Sequence, residues 1–231
     1  MNPAAPAATT TGRPLIISDC DEVLLHMVAP FRDWLTDAHD IDFALENHDW
    51  SKALTYRSNG NFVPHTEIWE MLGSFFDTEM HRQLPFKGAI EAMTALSNIA
   101  DIAILTNLQD HRNAARSTQL KAAGIDAPIY TNQGPKGDAL ARIVAEYQPS
   151  IAIFIDDMAG HHESVGNINP DVWRLHMIGE PLMAGHIKPA PHAHARIDDW
   201  ADAHIWIEDI LQNGVPAPII EFEQKAELES I

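Results

Sequence analysis

Cysteine, positive charge and long apolar runs are what this chain has least of. Cys20 is the only cysteine among 231 residues, so no internal disulfide can form and a reducing cytoplasm is the expected compartment. No stretch approaches the roughly 18 uninterrupted apolar residues of a membrane span. The start is rich in Ala, Pro and Thr without a hydrophobic signal segment, and residues 1–14 read as a flexible tail. Lys and Arg number 15 against 33 Asp and Glu, a formal net charge of −18. Such a surface repels the phosphates of nucleic acids and of anionic membranes, so neither is an expected partner. A small phosphorylated metabolite stays admissible if a metal ion and a lysine make one pocket locally positive. Oligomeric state is not legible from these numbers.

What is present is a chain with 45% hydrophobic residues, enough for one core with an insertion or for two small domains. The most informative segment is the apolar run Leu15, Ile16, Ile17 closed by Asp19, Cys20, Asp21, Glu22 and Val23. Aliphatics that end in carboxylates read as a buried parallel strand delivering charge to the carboxyl edge of a sheet, where open α/β folds hold ligands. Residues two apart in a strand point the same way, so Asp19 and Asp21 can converge. Two close carboxylates repel unless a cation neutralises them or one keeps a proton.

From residue 88 onward helix and strand patterns alternate, which predicts an α/β fold with a parallel sheet and crossover helices. Ala89, Met93 and Leu96 share a helical face, and Ile102 to Leu105 form a short strand ending at Thr106 and Asn107. A helix from about Asp110 stops at Gly124, and another follows Lys136 with Leu140, Ile143, Val144 and Tyr147 on one face. The clearest strand is Ile151 to Ile155, ending in Asp156 and Asp157; Val172 to Ile178 and Arg196–Ile197 follow, then a helix from Asp199 to Asn213. Residues 24–86 carry many aromatics among polar residues with helical rather than strand patterning.

Taken in order, the DCDEV segment at 19–23, Thr106 at a strand end, Lys136 at a helix start and the pair Asp156–Asp157 resemble the four motifs of the haloacid dehalogenase-like hydrolase superfamily, in its phosphatase branch. The resemblance covers about residues 15–213. It implies a Rossmann-like core from 15–23 and 87–213, an α-helical cap inserted at 24–86 that opens and closes over the site, and a C-terminal arm at 214–231. It also implies a magnesium-dependent phosphatase acting on a small phosphate monoester.

In that resemblance Asp19 is the nucleophile, forming an aspartyl-phosphate, and Asp21 is the general acid and base. Asp21 separates phosphatases from dehalogenases, because expelling a halide needs no proton. Thr106, Asn107 and Lys136 hold the phosphoryl group. Mg2+ falls to Asp19, the main-chain carbonyl of Asp21, Asp156 and Asp157, with Asp156 favoured as direct ligand and Asp157 either a second ligand or the partner that orients Lys136. Gly160, His161 and His162 stand where many relatives place a further Asp or Asn.

Each of these residues has an ordinary structural alternative: helix capping for Asp19 and Thr106, a turn for Asp21, N-terminal helix charge for Asp156 and Asp157, and solvent exposure for Lys136. Cys20 as a nucleophile is disfavoured because no arginine follows at the spacing of a cysteine phosphatase loop. His186, His192 and His194 read as loop histidines, with His161 or His162 near the active edge as the exception. Within the insertion, Arg57 is the candidate for a remote anionic group of the substrate, against an ordinary surface ion pair. The same motifs would serve a phosphomutase or phosphotransferase, and a non-catalytic phosphate- or partner-binding module would retain the fold.

Overall fold

A computed structural model describes residues 12–44 and 50–220. The chain runs from β1 (Leu15–Ser18) into α1 (Val28–His39), β2 (Ile41–Phe43), α2 (Trp50–Ala53), β3 (Leu54–Tyr56) and α3 (His65–Thr78). It returns through α4 (Ala89–Ser97) and β4 (Asp101–Thr106). There follow α5 (Asn113–Ala123), β5 (Ile129–Thr131), α6 (Gly137–Tyr147), β6 (Ala152–Asp156) and α7 (Ala159–Ile168). The chain closes with β7 (Trp173–His176), α8 (Pro181–Ala184), β8 (Ala195–Arg196) and α9 (Trp200–Asn213).

Six strands form one parallel sheet in the order β5-β4-β1-β6-β7-β8. β1 lies between β4 and β6, with Ile16 beside Ile102 and Ile153. That central place explains its composition: all four residues are buried, because helices cover both faces. Ile16 points to a face shared with Ile104, Ile153, Leu175, Met93, Leu96 and Trp200, on the side of α4 and α9. Its neighbours Leu15 and Ile17 point to the other, with Leu105, Phe154, Leu140, Ile143 and Val165 under α6 and α7. Burying each such aliphatic side chain stabilises the fold by roughly 1.5–3 kcal/mol.

The first crossover carries the chain from β1 to β4 on one side, and the later one from β5 returns it to β6 on the other. The carboxyl ends of β1, β4 and β6 therefore meet where the winding reverses, the place at which such sheets form a ligand crevice. α5 starts as a 3-10 turn at Asp110–Arg112. It ends at Gly124, whose φ of 106° lets its N–H reach the carbonyls of Leu120 and Lys121.

The inserted segment has an apolar cluster of its own, built on Phe31, Trp34, Leu35, Leu54, Ile68 and Phe75. It is not purely helical: β2 and β3 pair antiparallel, Ile41 opposite Tyr56 and Phe43 opposite Leu54. Three residues of buried–exposed–buried alternation at β2 are too few to stand out from helical spacing in the sequence. The insertion is fastened to the core at α5, where the Arg112 guanidinium donates to both carboxylate oxygens of Asp77 at 2.6 and 2.9 Å. The Arg116 guanidinium lies 5.7 Å from the ring centre of Phe76.

Of the expected N-terminal tail, residues 12–14 are docked against the sheet: Asp101 N–H donates to the Pro14 carbonyl at 2.8 Å, and Gly12 bridges to Pro149. Of the C-terminal arm, residues 214–220 pack along β7, with the Trp173 indole donating to the Val215 carbonyl at 2.8 Å. Residues 1–11 and 221–231 lie outside the described residues. Among the described residues, no helix is long and apolar enough to cross a membrane.

Candidate active site

Asp19 is the first residue past β1, and its N–H continues the ladder by donating to the Ile155 carbonyl at 2.8 Å. Asp156 ends the neighbouring strand β6, so parallel register alone sets the two acids side by side. Asp157 follows at a bend, and one carboxylate oxygen from each of Asp19, Asp156 and Asp157 can lie within 4.8 Å of the others. Lys136 enters from the N-terminus of α6 with its ammonium fully buried, 2.9 Å from Asp19 Oδ1 and 2.7 Å from Asp156 Oδ2. A positive charge at that helix end opposes the helix dipole, and the two carboxylates offset it.

The acids are unequally satisfied. Asp156 donates no hydrogen and accepts on both oxygens, from Lys136 and from the Met158 N–H at 2.8 Å. Burial pushes its carboxyl up, but Lys136 and the nearby His161 and His162 outweigh this, so it titrates below the ordinary aspartate value. Asp19 Oδ1 accepts from Lys136 and from the Cys20 N–H at 2.7 Å. Burial raises its carboxyl to about 7 despite Lys136, with Asp156 and Asp21 adding to the rise. Among the described residues, no hydrogen bond or ion pair engages the Asp157 carboxylate, and burial with Asp156, Asp19 and Glu22 nearby drives it well above the usual range.

These partners bear on one of the two roles expected for Asp157. Lys136 is oriented by Asp156 and not by Asp157, because the strand-end residue lies directly under the helix start while the bend turns Asp157 away. Asp157, favoured second as a direct ligand, is thus the acid with oxygens to spare. A half-buried carboxylate without a cation partner beside two buried ones makes a donor set of hard oxygens, and it suits a hard divalent cation such as Mg2+.

Thr106 is buried at the end of β4, and its hydroxyl has no hydrogen-bond partner among the described residues. Asn107 is exposed; its amide donates to the Gly134 carbonyl at 2.9 Å and lies 3.4 Å from His161 Nε2. The Asn107 oxygen accepts from Asn132 at 3.0 Å, so the loop that precedes Lys136 is tied to the loop after β4.

Asp21 stands apart from the three-acid cluster. Its two oxygens accept from Arg116 Nη2 at 2.9 and 3.1 Å, and Oδ1 also accepts from Gln83 Nε2 at 2.6 Å. Arg116 is fully buried, and its Nε and Nη1 have no hydrogen-bond partner among the described residues. Neither Arg116 nor Gln83 was singled out by the sequence reading. One signal was available: Arg116 shares the buried face of α5 with Leu120, four residues on, in a chain poor in cations. Nothing local marks Gln83, which reaches Asp21 across 62 positions.

The loop between the two aspartates and the insertion is held in an uncommon conformation. Glu22 has φ 61° without being glycine, and its Oε1 accepts from the N–H groups of Met27 and Val28 at 2.7 and 2.6 Å, capping α1. Burial lifts the Glu22 carboxyl to about 7 even with those two donors. The indole of Trp200 donates to the Val23 carbonyl at 2.8 Å and ties the loop to α9. Cys20 is buried, and burial pushes its thiol far up, which disfavours the thiolate form.

Arg57 does not stand free for a substrate. It pairs with Asp42 across the β2–β3 hairpin at 2.7 Å, the surface ion pair that was its alternative reading. His161 and His162 are buried, as is His176, which the sequence reading passed over. His194 is likewise engaged, accepting from the Arg174 N–H at 3.0 Å.

No protein-family model matches this chain, and no curated protein matches it in sequence. Solved structures do match it in fold. A haloacid dehalogenase-like family hydrolase from Streptococcus pneumoniae superposes with TM-score 0.58 at 12% identity, over 84% of this chain and 97% of its own. A protein from Lactobacillus delbrueckii subsp. bulgaricus, provisionally named a phosphoglycolate phosphatase, gives 0.58 at 15% identity over 84% and 98%. One from Thermotoga maritima, provisionally named a β-phosphoglucomutase, gives 0.55 at 12% identity over 85% and 99%. The chain has the haloacid dehalogenase-like fold, a Rossmann-like parallel sheet flanked by helices.

Proposed function

We propose that this chain is a haloacid dehalogenase-like phosphatase, dependent on a divalent cation and hydrolysing the phosphate monoester of a small cytoplasmic metabolite through an aspartyl-phosphate on Asp19. The observation that carries this reading is the meeting of Asp19, Asp156, Asp157 and the buried Lys136 at the winding reversal of the sheet. Magnesium held within the Asp19, Asp156 and Asp157 cluster and by the main-chain carbonyl of Asp21 would supply the positive charge that lets an anionic phosphate approach a carboxylate.

The remaining chemistry belongs to the chain's own groups. Asp19 Oδ1 is occupied by Cys20 and Lys136, which leaves Oδ2 to attack phosphorus. The Thr106 hydroxyl, the Asn107 main-chain amide and the Lys136 ammonium hold the other phosphoryl oxygens and stabilise charge that grows in the transition state. Asp21 gives a proton to the leaving oxygen and later takes one from water. To do so it must exchange its contacts with Arg116 and Gln83. Gln83 lies on the segment that returns from the insertion, so an opening and closing of residues 24–86 as a cap would break and remake that contact.

The test is phosphate release from an aryl phosphate with and without Mg2+. Turnover is expected only with the cation, and Asp19→Asn is expected to abolish it; full activity in that variant ends the assignment. Phosphate transfer to a sugar hydroxyl is the second reading, favoured by the likeness to the Thermotoga maritima protein and served by the same residues. A mutase conserves organic phosphate, so product analysis separates the two.

A further inference from the structure

Consecutive residues of a strand point to opposite faces. Asp156 and Asp157 nevertheless bring their carboxylates to one point with Asp19, which requires the backbone to turn between them. Two buried histidines hold that turn from behind. His162 Nε2 lies 3.0 Å from the Asp156 carbonyl, which also accepts from the Met177 N–H at 3.0 Å. His176 Nε2 lies 2.8 Å from the Asp157 carbonyl.

The His176 tautomer follows from its other nitrogen. Nδ1 accepts from the Ala190 N–H at 3.0 Å, so the ring proton is on Nε2 and points at Asp157. A carbonyl can only accept, so His162 also carries its proton on Nε2. The two rings pack edge to face, 5.4 Å between centres, and Phe154 closes on His162 at 5.5 Å. Strand register places His176 directly beside Asp156. Successive carbonyls of the acid pair are thus each fixed by one imidazole N–H, from two rings that are themselves fully buried.

We propose that His162 and His176 are positioning residues for the cation site: by gripping the main-chain carbonyls of Asp156 and Asp157 they set the carboxylate spacing that receives Mg2+. The inference rests on the cation site of the proposed function and not on phosphatase turnover. It gives a role to two histidines that touch neither substrate nor metal. Partners that orient ligands from outside commonly carry ~10–100-fold in metal affinity.

The experiment is calorimetric titration of the metal-free full chain with Mg2+ alone. His162→Phe and His176→Phe are each expected to weaken Mg2+ binding by ~10–100-fold. His176→Gln, whose amide can still donate to Asp157, is expected to stay within about threefold of the parent. His194→Phe is the control for general damage: that ring is also packed at the sheet edge, against Trp173, but touches neither acid, and its Mg2+ affinity should not change. Should a Phe variant not fold, Asn at the same position, too short to reach the carbonyl, takes its place in the comparison with Gln.

Unchanged affinity in the His162 and His176 variants overturns the proposal, as does an equal loss in His194→Phe. Failure of the parent to bind Mg2+ overturns it together with the proposed function. Normal Mg2+ binding and the expected variant losses without phosphate release would sink the phosphatase reading alone.

Discussion

Replacing Lys136 by methionine removes the cation buried between Asp19 and Asp156 while keeping nearly the same volume. In the parent, the ammonium lies 2.9 Å from one carboxylate and 2.7 Å from the other. Breaking a buried pair from one side costs about 3–5 kcal/mol, because the charges left behind have lost their solvent and their partner. For a chain of this size each kcal/mol lowers the melting temperature by ~2–4 °C, so Lys136→Met should melt roughly 6–20 °C below the parent when both are metal-free at pH 8. The deficit should depend on pH. The Asp19 carboxyl already sits at about 7, far above its ordinary value, and losing Lys136 raises it further. A carboxyl raised in the folded state contributes fully below its unfolded value and loses that contribution as pH climbs through the folded one. The gap between variant and parent should therefore narrow at pH 5 and widen at pH 8. Thermal denaturation followed by circular dichroism at both values, with chelator present, measures it. A variant melting within about 1 °C of the parent at pH 8 would refute the assignment of Lys136 as counter-ion to this pair.

Two further substitutions test the site, one within the three-acid cluster and one at the partner of Asp21. Asp157→Asn removes a partly buried carboxyl whose ionisation burial and the neighbouring acids oppose in the metal-free protein, so its melting temperature at pH 8 should exceed that of the parent. It should also lose the ~2.7 kcal/mol of stabilisation expected at a Mg2+ concentration a hundred times the dissociation constant; a full magnesium response in this variant would show that Asp157 is not a ligand. Arg116→Met deprives Asp21 of a charged hydrogen-bond partner and should lower unfolding free energy in urea by ~1.5–3 kcal/mol. Because Arg116 touches the Asp21 carboxylate, whereas the proposed Mg2+ contact of that residue is its main-chain carbonyl, Mg2+ affinity by calorimetry should stay within about threefold; a larger loss would contradict the division of Asp21 between a proton-handling carboxylate and a metal-holding carbonyl.

Much of the site was legible because its residues close strands. Asp19, Thr106 and Asp156 each follow an apolar run, and a parallel sheet sends the ends of such runs to one edge whatever the details of packing. Lys136 was legible for a related reason, standing at a helix start where a lone cation is out of place. The division of labour between Asp156 and Asp157 was not. Adjacent acids look alike in a sequence, and only the bend after β6 decides which one meets Lys136 and which keeps its oxygens. The ion pair of Arg57 with Asp42 was not legible either, because hairpin register sets it: Arg57 lies opposite Asp40, two residues from Asp42.

The amino-acid order by itself determined the parallel α/β layout, the four strand-end and helix-start positions, and a strongly acidic net charge. These depend on local periodicity and on total charge, and both are properties of the chain before it folds. Only the tertiary structure decided that Asp21 would rest on Arg116 and Gln83, 95 and 62 positions away, and that buried histidines would brace the acid pair from behind. Those contacts join groups with no sequence spacing in common. They form because side chains sealed from water must find partners wherever the packed fold has brought one within reach.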